Sequence, residues 1–157
     1  MAINKEEILA LIDRYHRRKG SLIAILQDIQ SEHNYLPEES LRLVAAALDI
    51  PLRDVVGVAT FYRAFSLKPR GRHLITVCMG TACHVRGGPK ILEEFERRLQ
   101  LKPGETTPDK AFTLETVNCL GCCAIGPVVV VDGNYHAQTS IRSVNTIIKK
   151  YAREASQ

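Results

Sequence analysis

Cys78 and Cys83 lie five residues apart and Cys119 and Cys123 four apart, each pair where a strand-like segment gives way to a glycine-containing loop. Four thiolates brought together from two loops suit a metal that prefers soft sulfur ligands. Glycines at 80, 87, 88, 121 and 126 would let backbone approach those sulfurs closely. A 2Fe-2S cluster takes two thiolates on each iron, so two loops that each give a pair match its symmetry, and amide donors aimed at the sulfurs would tune its potential.

Other chemistry competes for the same residues. Structural zinc also accepts four thiolates, which would make the chain a zinc-stabilised interaction module, but zinc ribbons favour tighter pair spacings and seldom need an α/β sheet. The spacing favours the cluster. Cys119-Leu120-Gly121-Cys122 is a C-x-x-C, the pattern of a thiol-disulfide oxidoreductase. Such a dithiol draws thiolate stability from a helix N-terminus, whereas Ala124-Ile125-Gly126-Pro127 leads into an apolar run and Cys78 and Cys83 stay unexplained. Cys122 and Cys123 are adjacent, and neighbouring side chains of an extended loop point different ways, so spacing leaves open which of them is a ligand; the spare one reads as a small buried hydrophobe. His84 would count in a Rieske-type site, but that needs two histidines in place of two cysteines, so a place beside the ligands or at the surface is the better reading. Arg86 would offset a cluster's negative charge if it faced one, although solvation is an arginine's default.

Composition bounds the rest. With 157 residues, 45% of them apolar, the chain can bury one sizeable core or two small ones. The net charge of +4 is spread over both halves, too weakly to argue for nucleic acid. No run reaches the roughly eighteen apolar residues of a membrane span, and the start, Met-Ala-Ile-Asn-Lys-Glu-Glu, lacks a basic region followed by an apolar one. An odd number of cysteines, five, fits a reducing compartment better than a disulfide framework. The expectation is a cytoplasmic protein without direct membrane insertion, membrane-associated only through a larger complex if at all. No glycine-rich dinucleotide fingerprint or P-loop is present.

The elements that must position the cysteines follow from periodicity. Residues 1–70 read as an N-terminal helical domain. Asn4 with Glu7 gives a capping-box-like start to a helix with Ile8, Leu11, Ile12 and Tyr15 on one face, and Ser21 caps a second through Leu22, Ile25, Leu26 and Ile29. Pro37-Glu38-Glu39 opens a third through Leu41, Val44, Ala45 and Leu48. Pro51 to Phe65 is ambiguous between helix and strand, with helix preferred for its first part. Lys68-Pro69-Arg70-Gly71 marks the boundary, and residues 71–157 form an α/β domain. There His73 to Cys78 reads as a strand, Gly87-Gly88-Pro89 introduces a helix with Ile91, Leu92, Phe95 and Leu99 on one face, and Lys102 to Lys110 is a polar connection. Phe112 to Asn118 is a second strand. Val128 to Val131, then Asp132-Gly133, signals a hairpin, and Thr139 or Ser140 caps a last helix through Tyr151.

At Cys-Met-Gly-Thr-Ala-Cys-His-Val-Arg-Gly-Gly (78–88) and Cys-Leu-Gly-Cys-Cys-Ala-Ile-Gly-Pro (119–127), with Leu36-Pro37 and Gly57-Val58-Ala59-Thr60-Phe61-Tyr62, the sequence resembles the thioredoxin-like 2Fe-2S ferredoxin subunit of NADH dehydrogenases. That is the 24 kDa-type subunit of complex I, with relatives in NAD-linked and electron-bifurcating hydrogenases and formate dehydrogenases. The resemblance implies a small helical bundle followed by a thioredoxin-like α/β domain, and cluster ligands Cys78, Cys83, Cys119 and Cys123, with Cys122 a non-ligand. It further implies an electron-transfer subunit of a multisubunit NAD(P)(H)-dependent oxidoreductase with no complete active site of its own. Single electrons would pass between its cluster and a flavin on a partner; FMN and NAD(H) would be bound by that partner, beside further iron-sulfur subunits. Which parent complex, acceptor and direction of electron flow apply is left open.

Overall fold

In the computed structural model, which describes residues 4–154, the chain falls into two units, Met1–Pro69 and Arg70–Gln157. Among the described residues of the first unit there are four α-helices: α1 (Lys5–Arg14), α2 (Leu22–His33), α3 (Glu38–Leu48) and α4 (Leu52–Phe61). Asn4 starts α1, its side-chain oxygen accepting the Glu6 N–H at 3.1 Å. Ser21 does not cap α2 as the sequence suggests. It closes a 3-10 turn, Lys19–Ser21, and makes no side-chain cap hydrogen bond. Pro37 and Pro51 stand just ahead of α3 and α4, where the missing N–H costs nothing. Asn34 (φ 65°) and Asp49 (φ 50°) end α2 and α3 by turning left-handed, a conformation short polar side chains tolerate.

The expected apolar stripes face one core: Ile8, Leu11 and Ile12 meet Ile25, Leu26, Ile29, Val44, Leu48 and Val55. Gln30 ties the chain beyond α4 to this bundle, donating to the Ala64 carbonyl at 2.6 Å and accepting the Ser66 N–H at 2.7 Å. The ambiguous segment after Pro51 is helical for its first part, as preferred, and leaves the helix at Tyr62.

The second unit is built on a sheet in the order β2-β3-β1-β4-β5. Its strands are β1 (His73–Cys78), β2 (Glu105–Thr106), β3 (Phe112–Val117), β4 (Val129–Val131) and β5 (Asn134–His136), and its helices α5 (Thr81–Val85), α6 (Gly88–Leu99) and α7 (Ile141–Glu154). β1 and β3 are parallel, with His73 opposite Phe112 and Cys78 opposite Val117. Parallel neighbours need a crossover, which α6 supplies, seating Ile91 and Phe95 against Ile75, Leu114 and Val129. This pairing positions the site, because β1 and β3 release their chains at the same end of the sheet. β4 runs antiparallel to β1, Val129 opposite Val77, so the chain re-enters the sheet from that end.

Asp132 (φ 49°) and Gly133 (φ 80°) make the expected two-residue hairpin turn between β4 and β5. Asp132 also reaches back to β1, accepting the Leu74 N–H at 2.8 Å and bonding His73 Nδ1 at 2.6 Å. β2 lies inside the stretch that reads as a polar connection; two residues paired to β3 are too few to leave a pattern.

Ser140 starts α7 reciprocally with Ser143: each hydroxyl accepts the other's backbone N–H, at 2.9 Å from Ser140 and 3.3 Å from Ser143. Ser140→Ala or Ser143→Ala is expected to cost about 1 kcal/mol of stability, read as a lower denaturant midpoint with an unchanged slope.

Candidate metal centre

The first cysteine loop begins where β1 ends. Cys78 is still held in the sheet, its N–H donating to the Val128 carbonyl at 3.1 Å, and Met79 N–H donates to Val117 at 2.8 Å. Gly80 then opens α5, a short helix that lifts Cys83 back toward Cys78, with His84 N–H closing on the Gly80 carbonyl at 2.8 Å. A Cβ at Gly80 would stand 2.8 Å from the Asn118 carbonyl oxygen and 3.3 Å from Cys119 Sγ, so glycine is what lets the two loops touch.

The second loop leaves β3 and carries Cys119, Cys122 and Cys123. Gly121 (φ 76°) turns the chain so that its N–H donates to Cys119 Sγ at 3.3 Å. After Cys122 comes only a 3-10 turn, Cys123–Ile125, then Gly126 and a cis bond to Pro127. No α-helix follows the C-x-x-C to stabilise a thiolate, which weakens the dithiol reading as the sequence does. A Cβ at Gly126 would come within 3.0 Å of Cys83 Sγ, a second place where only a missing side chain lets backbone lie on sulfur.

All five cysteines line one recess, with Gly80, Leu120 and Val128. Cys78 and Cys83 are each 3% exposed, Cys119 and Cys123 are exposed, and Cys122 is intermediate. The sulfurs meet in pairs. Burial pushes the Cys78 thiol up, but the Gly80 and Leu120 amides and the Cys83 thiol all donate to its sulfur and bring it below the ordinary thiol range. Burial pushes Cys83 up, and its bond to Cys78 adds to that, against a Val128 amide that pulls the other way. The charge of Cys119 beside it pushes Cys123 up as well, and the Cys119 hydrogen bond does the same, while the Arg86 charge opposes both. Among the described residues, no group of three or more His, Cys, Asp or Glu side chains closes as a site for a metal ion.

The structure nonetheless lines one recess with Cys78, Cys83, Cys119 and Cys123, the four cysteines that the resemblance implies as ligands. Cys122 lies beside them, half-buried against Cys78, Cys83 and Val128, its thiol donating to the Leu120 carbonyl at 3.5 Å. His84 is exposed. Arg86 is not simply solvated: Nη1 donates to the Cys123 carbonyl at 2.8 Å and the Gly126 carbonyl at 3.3 Å. Its two acceptors are remote in sequence, and nothing at position 86 points to them. Among the described residues no helix is long and apolar enough to cross a membrane.

The family model of the thioredoxin-like [2Fe-2S] ferredoxins matches residues 8–152. The chain is 36% identical over 145 residues to the NADP-reducing hydrogenase component HndA of Solidesulfovibrio fructosivorans, covering 92% of this chain and 85% of that one. It is 34% identical over 147 residues to the E component of the NADH-quinone oxidoreductase of Aquifex aeolicus (strain VF5), covering 94% and 92%. The corresponding component from Escherichia coli (strain K12) is likewise 34% identical, over 150 residues, covering 96% and 90%. Among solved structures, an NAD+-reducing [NiFe]-hydrogenase in its air-oxidised state superposes with a TM-score of 0.76 at 20% identity, over 88% of this chain. This chain spans only 24% of that longer one, and the likeness is one of fold.

Proposed function

The chain belongs to the thioredoxin-like [2Fe-2S] ferredoxin family, and from that membership we propose that it is the electron-transfer subunit of a multisubunit NAD(P)(H)-dependent oxidoreductase, exchanging single electrons with a flavin on a partner. The parent complex is of the NADH-quinone oxidoreductase or NADP-reducing hydrogenase kind, by the relatives it matches over nearly its whole length.

One observation carries the proposal: four sulfurs from two loops, released at the same end of a parallel strand pair, face a single recess into which backbone amides point. That donor set fits a 2Fe-2S cluster, with Cys78 and Cys83 as one pair of ligands and Cys119 and Cys123 as the other. When bound, the cluster supplies a one-electron redox site. The chain's own residues hold the sulfurs and aim backbone amides at them, those of Gly80 and Leu120 at Cys78, that of Val128 at Cys83 and that of Gly121 at Cys119. Gly80 and Gly126 keep bulk away from the sulfurs. Cys122 is a packing residue, since its thiol faces a loop carbonyl and apolar neighbours. No general acid or base is needed on this chain, because hydride chemistry belongs to the partner that binds flavin and nicotinamide.

Purified protein is expected to carry two irons and two acid-labile sulfides per chain, as a 2Fe-2S cluster has. Its visible absorption should bleach with dithionite. A colourless protein with one zinc per chain would overturn the reading. Affinity purification under native conditions is expected to bring down a flavin-binding partner; recovery of this chain alone, cluster intact, would remove the partner from the proposal.

A further inference from the structure

Arg86 sits at the C-terminal end of α5 and spans to the other cysteine loop. Nη1 donates to the carbonyl of Cys123 at 2.8 Å and to that of Gly126 at 3.3 Å. Gly126 lies against Cys83: a Cβ built there would be 3.0 Å from Cys83 Sγ and 3.7 Å from Arg86 Nη1. The guanidinium therefore lies where the loop of Cys83 meets the loop of Cys123, and its charge acts on the Cys123 thiol.

We propose that Arg86 is a positioning residue for the cluster, one that clamps the second cysteine loop onto the first and holds a permanent positive charge beside the sulfurs. This rests on the cluster reading given above. The clamp part follows from geometry: two carbonyls, one of a proposed ligand residue and one three positions later, are fixed by a single planar group. The charge part follows from electrostatics. A cluster held by four thiolates becomes more negative on reduction, and a cation held near its open edge favours that added electron.

The two parts separate experimentally. Full-length protein with its cluster is compared with Arg86→Gln and Arg86→Lys, with far-UV circular dichroism to establish that each variant is folded. Iron and labile sulfide per chain, the rate of iron loss to a chelator, and the midpoint potential from an EPR-monitored redox titration are the readouts. Arg86→Gln is expected to lose iron roughly tenfold faster or more and to shift to a lower potential, in line with residues that orient metal ligands. Arg86→Lys is expected to recover most of the potential but not the retention, because an ammonium keeps the charge without the guanidinium's fixed geometry. If the parent protein holds two irons and both variants match it in retention and potential, the role of Arg86 is refuted and the cluster stands. If the parent protein holds no iron, the functional reading itself falls, and this inference with it.

Discussion

Alanine at Cys78, Cys83, Cys119 or Cys123 is expected to leave the purified chain almost free of iron and labile sulfide, whereas Cys122→Ala keeps both. Each of the four sulfurs faces the recess in a hydrogen-bonded pair, and alanine offers no donor atom in its place. Loss of even an orienting neighbour costs roughly 10–100-fold in metal affinity, so a lost ligand sets that as a lower bound. Cys122 is different, since its thiol is spent on the Leu120 carbonyl and its side chain is half-buried against Cys78, Cys83 and Val128. Alanine there costs a little packing. The measurement is iron and sulfide per chain with the visible spectrum. A Cys122→Ala protein that loses its chromophore while Cys123→Ala keeps it would exchange the roles of the two neighbours. A thiol-disulfide enzyme would instead lose dithiol activity with Cys122→Ala and stay indifferent to Cys78→Ala.

Gly80→Val is expected to empty the site while leaving the fold. Gly80 has φ −60° and ψ 155°, open to any residue, so the penalty comes from contact alone. The first carbon of a side chain would press on the Asn118 carbonyl oxygen at 2.8 Å and on Cys119 at 3.3 Å. The loops must part to admit it, and a displacement of that order spoils the ligand geometry on one side. Iron per chain should fall roughly tenfold for valine, the scale seen when ligands lose their orientation, and less for alanine. Gly20→Ala, with nothing within 4 Å, should change neither iron content nor spectrum. Wild-type iron content in Gly80→Val would show that the loops are not tightly apposed.

Much of this architecture is legible in the sequence, and the reasons are local. The stripes of α1 to α3 repeat at helical spacing, β1 and β3 are short runs rich in branched residues, and Asp132-Gly133 carries its own turn geometry. The cysteine pairs are visible because ligand spacing is a property of the loop itself. What escapes depends on contacts between distant residues or on elements too small to show a period. α5 is five residues between glycines, and β2 is two residues defined only by its partner. Ser21 has the right chemistry for a cap, but the turn before α2 takes its place. Spacing cannot choose between Cys122 and Cys123. Their surroundings differ once the loop is folded, one half-buried against Cys78, Cys83 and Val128 and the other exposed beside Cys119. Solvation is the default for Arg86 because the two carbonyls it holds belong to a loop that only the parallel pairing of β1 and β3 brings near.

The unequal burial of the two sulfur pairs gives the proposed centre a front and a back. Cys78 and Cys83 are shut in by the sheet and by α5, while Cys119 and Cys123 lie open at the surface. Oxidants and chelators in solution would then reach the proposed centre most readily from the open side, and the same side would offer a redox partner its shortest approach. A protein docked there would shield the vulnerable edge at the moment it opens a path for electrons, so assembly and protection become a single event.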